Sequence, residues 1–252
     1  MLKKITNTAL CFIALTSFTG IANATLISNT DRLTEHNGIQ KTVDKFGNVD
    51  NAFLFDGVND YVSLTPDTTS DSFSVAAFYK ADGFQNTWTR VFDFGNGFSN
   101  GGGDVFVSLN HGRANGNIGT TIHPDNTTTQ IDRNYNVTQD NMWHHVALTF
   151  DSVSQSMTSY FDGIEVDSYV YDGKSFSDWG NDQTWAFGRG NFNDPLFKGA
   201  MSHLFVSNEA ISASDAKLLA QGNSLSVPEP TSIIILTLSL FGLILNQKRL
   251  KG

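Results

Sequence analysis

The chain has 252 residues, with 16 Lys and Arg against 25 Asp and Glu for a formal charge of −9, and it carries 20 phenylalanines. Five of the basic residues (Lys3, Lys4, Lys248, Arg249, Lys251) flank apolar ends, so residues 25–227 keep 11 basic and 24 acidic residues. Such a surface repels phosphate, which excludes sequence-independent nucleic-acid binding, and a 40% hydrophobic composition excludes disorder.

In chain order, Lys3 and Lys4, the apolar run from Ala9 to Phe18 and Ala22-Asn23-Ala24 read as a secretory signal over residues 1–24, cleaved after Ala24. The single cysteine, Cys11, lies inside that signal, so the mature chain is expected to have neither a disulfide nor a thiolate metal site. Residues 25–51 are expected to supply an edge strand or a loop. From about residue 50 to 208, period-2 alternation and turn residues dominate. The pattern predicts strands at 52–56, 60–64, 73–80, 89–94, 105–110, 117–123, 143–151, 157–161, 164–171, 184–188 and 200–206. Asp162-Gly163 between two alternating runs is the clearest hairpin signal, because a type I′ turn needs φ > 0 at both central residues. One short helix is predicted, capped by Ser212, with Asp215 at its third position and Gly222 ending it. Many short strands, regular turns and almost no helix predict an all-β sandwich over residues 52–226.

The last segment has three parts. Val227-Pro228-Glu229-Pro230 precedes an uncharged apolar run, Thr231 to Leu245, and Lys248, Arg249 and Lys251 follow it. Fifteen residues reach about 22 Å as a helix, which spans the ~30 Å hydrocarbon core only with help from flanking residues. The basic tip predicts a transmembrane helix whose C-terminus is cytoplasmic. This arrangement over residues 227–252 resembles the PEP-CTERM sorting signal of Gram-negative bacteria that make exopolysaccharide. The resemblance implies a membrane-held precursor, processing by an exosortase at Pro228-Glu229-Pro230, and release to the cell surface or extracellular matrix. A permanent tail anchor is the rival reading.

Five words along the middle resemble laminin-G-like domains. They are Phe55-Asp56-Gly57-Val58-Asn59-Asp60-Tyr61-Val62, the strand from Phe73 to Lys80, Trp143-His144-His145-Val146-Ala147, Tyr160-Phe161-Asp162-Gly163 and Phe197-Lys198-Gly199-Ala200-Met201. The resemblance implies the concanavalin A-like jelly roll, a lectin-like role and often a bound Ca²⁺. Asp56, Asn59 and Asp60 are the candidate calcium ligands, since a hard cation needs several oxygen donors. The alternative is a turn in which Asp56 or Asn59 caps its own backbone. Where the family has acids after the F-x-G-x-I word, this chain has Ser202 and His203, which favours the turn.

The same superfamily includes β-glucanases with an E-x-D-x-x-E strand, whose paired carboxylates perform the chemistry. The nearest string here, Glu165-Val166-Asp167-Ser168-Tyr169-Val170, lacks the last carboxylate, so a non-catalytic protein is expected. His144 and His145 point to opposite faces of a strand and cannot share one metal; one is expected in the core and hydrogen-bonded, the other exposed. The 30 aromatic residues are expected to be mostly core, Trp143 among them. Trp179 and Trp185, which flank a polar loop, and Trp88 with Arg90, are the candidates for stacking on and hydrogen bonding to a sugar. The functional expectation is an exported glycan-binding module associated with exopolysaccharide. The alternatives are a structural or protein-binding matrix component and, distantly, a glycoside hydrolase.

Overall fold

A computed structural model of the chain describes residues 24–26, 32–66, 69–97, 103–110, 118–123, 131–135, 140–170, 176–179 and 182–225. Residues 1–23 of the expected signal and the whole expected tail, 227–252, lie outside the described residues. No helix among the described residues is long and apolar enough to cross a membrane.

The strands are β1 (Ala24–Leu26), β2 (Leu33–His36), β3 (Gln40–Thr42), β4 (Ala52–Asp56), β5 (Tyr61–Leu64), β6 (Phe73–Ala81), β7 (Thr89–Gly95) and β8 (Asp104–Leu109). They continue as β9 (Ile118–His123), β10 (Ile131–Tyr135), β11 (His144–Asp151), β12 (Ser156–Phe161), β13 (Ile164–Val170), β14 (Thr184–Phe187) and β15 (Lys198–Ser207), and α1 (Ala213–Ala220) follows. An eight-stranded sheet runs β13-β12-β11-β6-β15-β4-β3, with β1 paired to β15, and a seven-stranded sheet runs β10-β9-β8-β7-β14-β5-β2. Every pairing is antiparallel. Two antiparallel sheets around one core and one short helix make the all-β sandwich that the alternation predicts.

Side-chain parity explains the layers, because successive residues of a strand face opposite sides. Phe73, Val75, Ala77 and Tyr79 of β6 and Val146, Leu148 and Phe150 of β11 face inward, against Phe92, Phe94, Val105, Val107, Trp185 and Phe187 of the other sheet. Their opposite-parity neighbours Ala76 and Ala147 face outward, where Ile211, Ala216 and Leu219 cover them. The helix making that cover starts at a full capping box: Ser212 accepts from the Asp215 N–H, and the Asp215 carboxylate accepts from the Ser212 N–H. Asp162 and Gly163 take φ of 49° and 78°, the pair of left-handed residues expected of the hairpin turn. Gly199 has a different reason to be glycine, since a Cβ there would sit 2.2 Å from the Lys80 carbonyl oxygen.

Four strands escape the sequence pattern: β1, β2, β3 and β10. Residues 33–36 and 40–42 add β2 and β3 to the two sheets as edge strands.

Candidate functional site

The outer face of the eight-stranded sheet carries an open groove of about 460 Å³, within the size range of ligand pockets. Strand register builds its floor. Gln40 of β3 pairs with Leu54 of β4, Leu54 with Ala200 of β15, and Ala200 with Lys80 of β6. Trp143 lies one residue before the His144–Tyr79 pair, which puts it beside Lys80 at the end of the same row. The result is an apolar strip of Trp143, Ala200 and the 40% exposed Leu54, rimmed by the amide of Gln40 and the ammonium of Lys80. A second row adds Asp56, Lys198 and Asp82, with Lys198 Nζ 2.7 Å from the Asp82 carboxylate. An apolar strip edged by donors and acceptors suits the apolar face and hydroxyl rim of a sugar ring.

The segment bearing Trp143 is held by His144. Its Nδ1 lies 2.9 Å from Asp162 Oδ2 and its Nε2 3.0 Å from Asp140 Oδ1. The hydrogen bond to Asp162 raises the His144 pKa, burial opposes that, and Asp140 adds to it. His145 points the other way, as parity requires, but it is not exposed. It is buried on the outer face against Phe78, and burial pushes its pKa down to about 3.

The tryptophans correct the expected stacking surface. Trp185 is 1% exposed and stacks on Phe94 with centroids 4.9 Å apart, and its indole N–H donates to Gln183. Trp179 is buried to a similar degree at the end of a 3₁₀ turn, Phe176–Trp179. A polar flanking loop does not set exposure; both rings fill the core. Trp143 is corrected in the opposite sense, since it is half-buried and lines the groove. Its parity was the available signal, because the inward set His144, Val146, Leu148 and Phe150 leaves Trp143 outward.

Arg90 and Trp88 meet, but not as a binding surface. Arg90 is buried; its Nε donates to Asp93 at 3.1 Å, one Nη donates to Asp194 at 2.7 Å, and the other donates to the Trp88 carbonyl. Its guanidinium lies 3.6 Å over the Phe106 ring. Trp88 is half-buried, sits at φ 67° and forms a T-shaped contact with Phe106. Asp104 completes this cluster. It is fully buried, and burial together with the neighbouring Asp93 carboxylate pushes its pKa well up, against the opposing pull of Arg90 and Asn191.

The residues offered for calcium form a self-capped turn. Asp56 Oδ1 accepts from the Val58 and Asn59 N–H groups, which hold its pKa down, and Asp60 accepts from the Asp56 N–H. Among the described residues no three His, Cys, Asp or Glu side chains are grouped to hold a metal ion. Asp56 also contributes to the groove through its position on β4.

No curated protein matches the chain by sequence. Among solved structures, it is similar to domain 4 of AbnA, a GH43 extracellular arabinanase from Geobacillus stearothermophilus in complex with arabinotriose. That match has a TM-score of 0.57 at 24% identity, over 79% of this chain and 88% of that one. It is also similar to the CBM40 of the Ruminococcus gnavus IT-sialidase bound to α2,3-sialyllactose, with a TM-score of 0.55 at 14% identity, over 68% and 96%. A botulinum neurotoxin type C structure, whose cell entry depends on two ganglioside molecules, matches with a TM-score of 0.55 at 12% identity, over 81% and 52%. At these identities the likeness is one of fold. The family model described as the concanavalin A-like lectin/glucanases superfamily, Laminin_G_3, matches residues 56–217, and the chain belongs to that family.

Proposed function

We propose that the protein is a non-catalytic glycan-binding module, exported and retained at the cell surface or in its matrix. The observation that carries this reading is the row Gln40–Leu54–Ala200–Lys80–Trp143, which lays an aromatic ring and an apolar floor between polar rims on an open sheet face. The fold supports it, since the similar structures include ones bound to arabinotriose and sialyllactose. A fold alone does not establish binding, so the argument rests on the groove. The string Glu165-Val166-Asp167-Ser168-Tyr169-Val170 lacks the last carboxylate of the glucanase strand, which supports a binding role over glycoside hydrolysis.

The signal-like segment over residues 1–24 and the three-part tail over residues 227–252 support export. Signal removal after Ala24 and exosortase processing at Pro228-Glu229-Pro230 would release the module from the membrane, with exopolysaccharide as the ligand it meets first. Peptides of surface material that run intact from Val227 into Ile233 would show a permanent anchor instead.

The binding test is a glycan array and a pull-down on host exopolysaccharide with the full-length chain. Wild type is expected to be retained, and Trp143→Ala to lose retention while keeping its thermal midpoint. Loss of a stacked aromatic from a weak site should cost about tenfold or more in affinity. Folded wild-type protein that no glycan retains would favour the matrix-structural reading.

A further inference from the structure

We infer that the outer face of the seven-stranded sheet holds a second saccharide site, one that takes a carboxylate-bearing sugar; this rests on the glycan-binding reading above. A polar groove of about 480 Å³ lies there, lined by His36, Tyr61, Ser63, Asp182, Thr184 and Arg189 among others. The strand order β14-β5-β2 sets Tyr61 between His36 on one side and the segment after β14, which carries Arg189, on the other. The His36 ring lies parallel to Tyr61, with centroids 4.0 Å apart and planes 7° from parallel, and its Nε2 is 2.8 Å from the Ser63 hydroxyl. The Arg189 guanidinium carbon is 4.8 Å from the centroid of the same Tyr61 ring. The three side chains thus fix one another, although none belongs to the core.

The two arginines differ in what they leave free. Arg90 commits all three of its nitrogens to protein acceptors. Arg189 is exposed and is held against a ring, and no described carboxylate pairs with it. A bare surface arginine would wander among rotamers; this one is pre-set by its cation–π contact, which reduces the ordering cost of binding. A planar guanidinium with its fork open matches a carboxylate through two parallel hydrogen bonds. Asp182 on the same groove narrows the choice. It repels a densely charged polyanion but accepts hydrogen bonds from hydroxyls, and Ser63 and Thr184 add hydroxyls of their own. A ligand with one carboxylate among hydroxyls satisfies all of these groups, and a uronate is the simplest such sugar. Because this groove and the first lie on opposite outer faces, one molecule can grip two separate polysaccharide chains.

Calorimetry on the full-length protein with trigalacturonate and with galactotriose tests the assignment. Trigalacturonate is expected to bind, Arg189→Gln to weaken it about tenfold or more, and Arg189→Lys to restore only part of the loss. With Trp143→Ala the uronate is expected to stay bound. If trigalacturonate fails to bind, binds equally well to Arg189→Gln, or is lost with Trp143→Ala, the second site is overturned. Should neutral glycans still bind in that case, the first groove stands and only this inference fails; if neither class binds, both readings fall together.

Discussion

On the eight-stranded sheet the outer cover is apolar, with Ile211, Ala216 and Leu219 lying on Ala76, Ala147 and Phe205. Over the seven-stranded sheet the cover is held by charge, with Arg90 binding Asp93 beneath it and Asp194 of the loop before β15 above it, and Asn191 donating twice to Asp93. The first arrangement stabilises roughly in proportion to buried area and tolerates small shifts. The second carries a desolvation cost and holds together only with every partner present, so it fixes one loop position. Trp143 stays accessible on the sheet with the apolar cover, while Arg90, the arginine expected at a sugar site, is locked beneath the charged one.

Three measurements sharpen or break this contrast. The largest effect is expected from Arg90→Met, which strands the buried Asp93 and Asp104 and should cost about 3–5 kcal/mol in urea unfolding. A loss near zero would mean that the loop before β15 is held by other contacts. Next is Asp104→Asn. Because burial and Asp93 raise the pKa of Asp104 in the folded state, no penalty exists below the unfolded value of about 3.9. As pH climbs above that, the unfolded chain ionises freely and the folded chain does not, so wild-type stability declines until the folded pKa is passed. The variant should lack this decline and gain on wild type between pH 4 and neutrality; parallel curves would refute the buried proton. The smallest effect concerns His144, on the groove side. Its pKa is raised, chiefly by Asp162, so its stabilisation is full below about 6.5 and is lost as pH rises through the folded value. The loss should stay below about 1 kcal/mol, since the network is partly exposed and screened by salt. His144→Gln should flatten the melting temperature between pH 6 and 9, and a slope that survives in the variant would assign it elsewhere.

The sandwich was legible because its central strands alternate strongly. Phe73 to Ala81 and His144 to Asp151 each place an unbroken apolar set on one face. The strands that alternation does not mark are short or polar, such as Gln40-Lys41-Thr42, within the segment expected to give an edge strand or a loop, and Ile131-Asp132-Arg133-Asn134-Tyr135, and their edge positions require no apolar alternation. The site was less legible. Whether a tryptophan is exposed depends on what packs over it, so local polarity around Trp179 and Trp185 pointed outward while both rings fill the core. Trp143 lay within a recognisable word but on its outward parity, and Arg90 looked like a surface donor because nothing local shows that a strand is covered on both faces. The His36–Tyr61–Arg189 contact joins three separate segments and leaves no trace in any one of them.

The position of β15 has a consequence for how the molecule forms. This strand, the last among the described residues, lies between β6 and β4 in the interior of its sheet, pairing Met201 with both Tyr79 and Phe53. Until residues 198–207 have emerged, β4 and β6 remain two open edges with unpaired backbone groups, and the sheet exists as separate halves. Closing it requires contacts between distant parts of the sequence, which places folding in the slow range of about milliseconds to seconds typical of all-β domains. Closure of the eight-stranded sheet therefore waits for β15 to insert between β6 and β4.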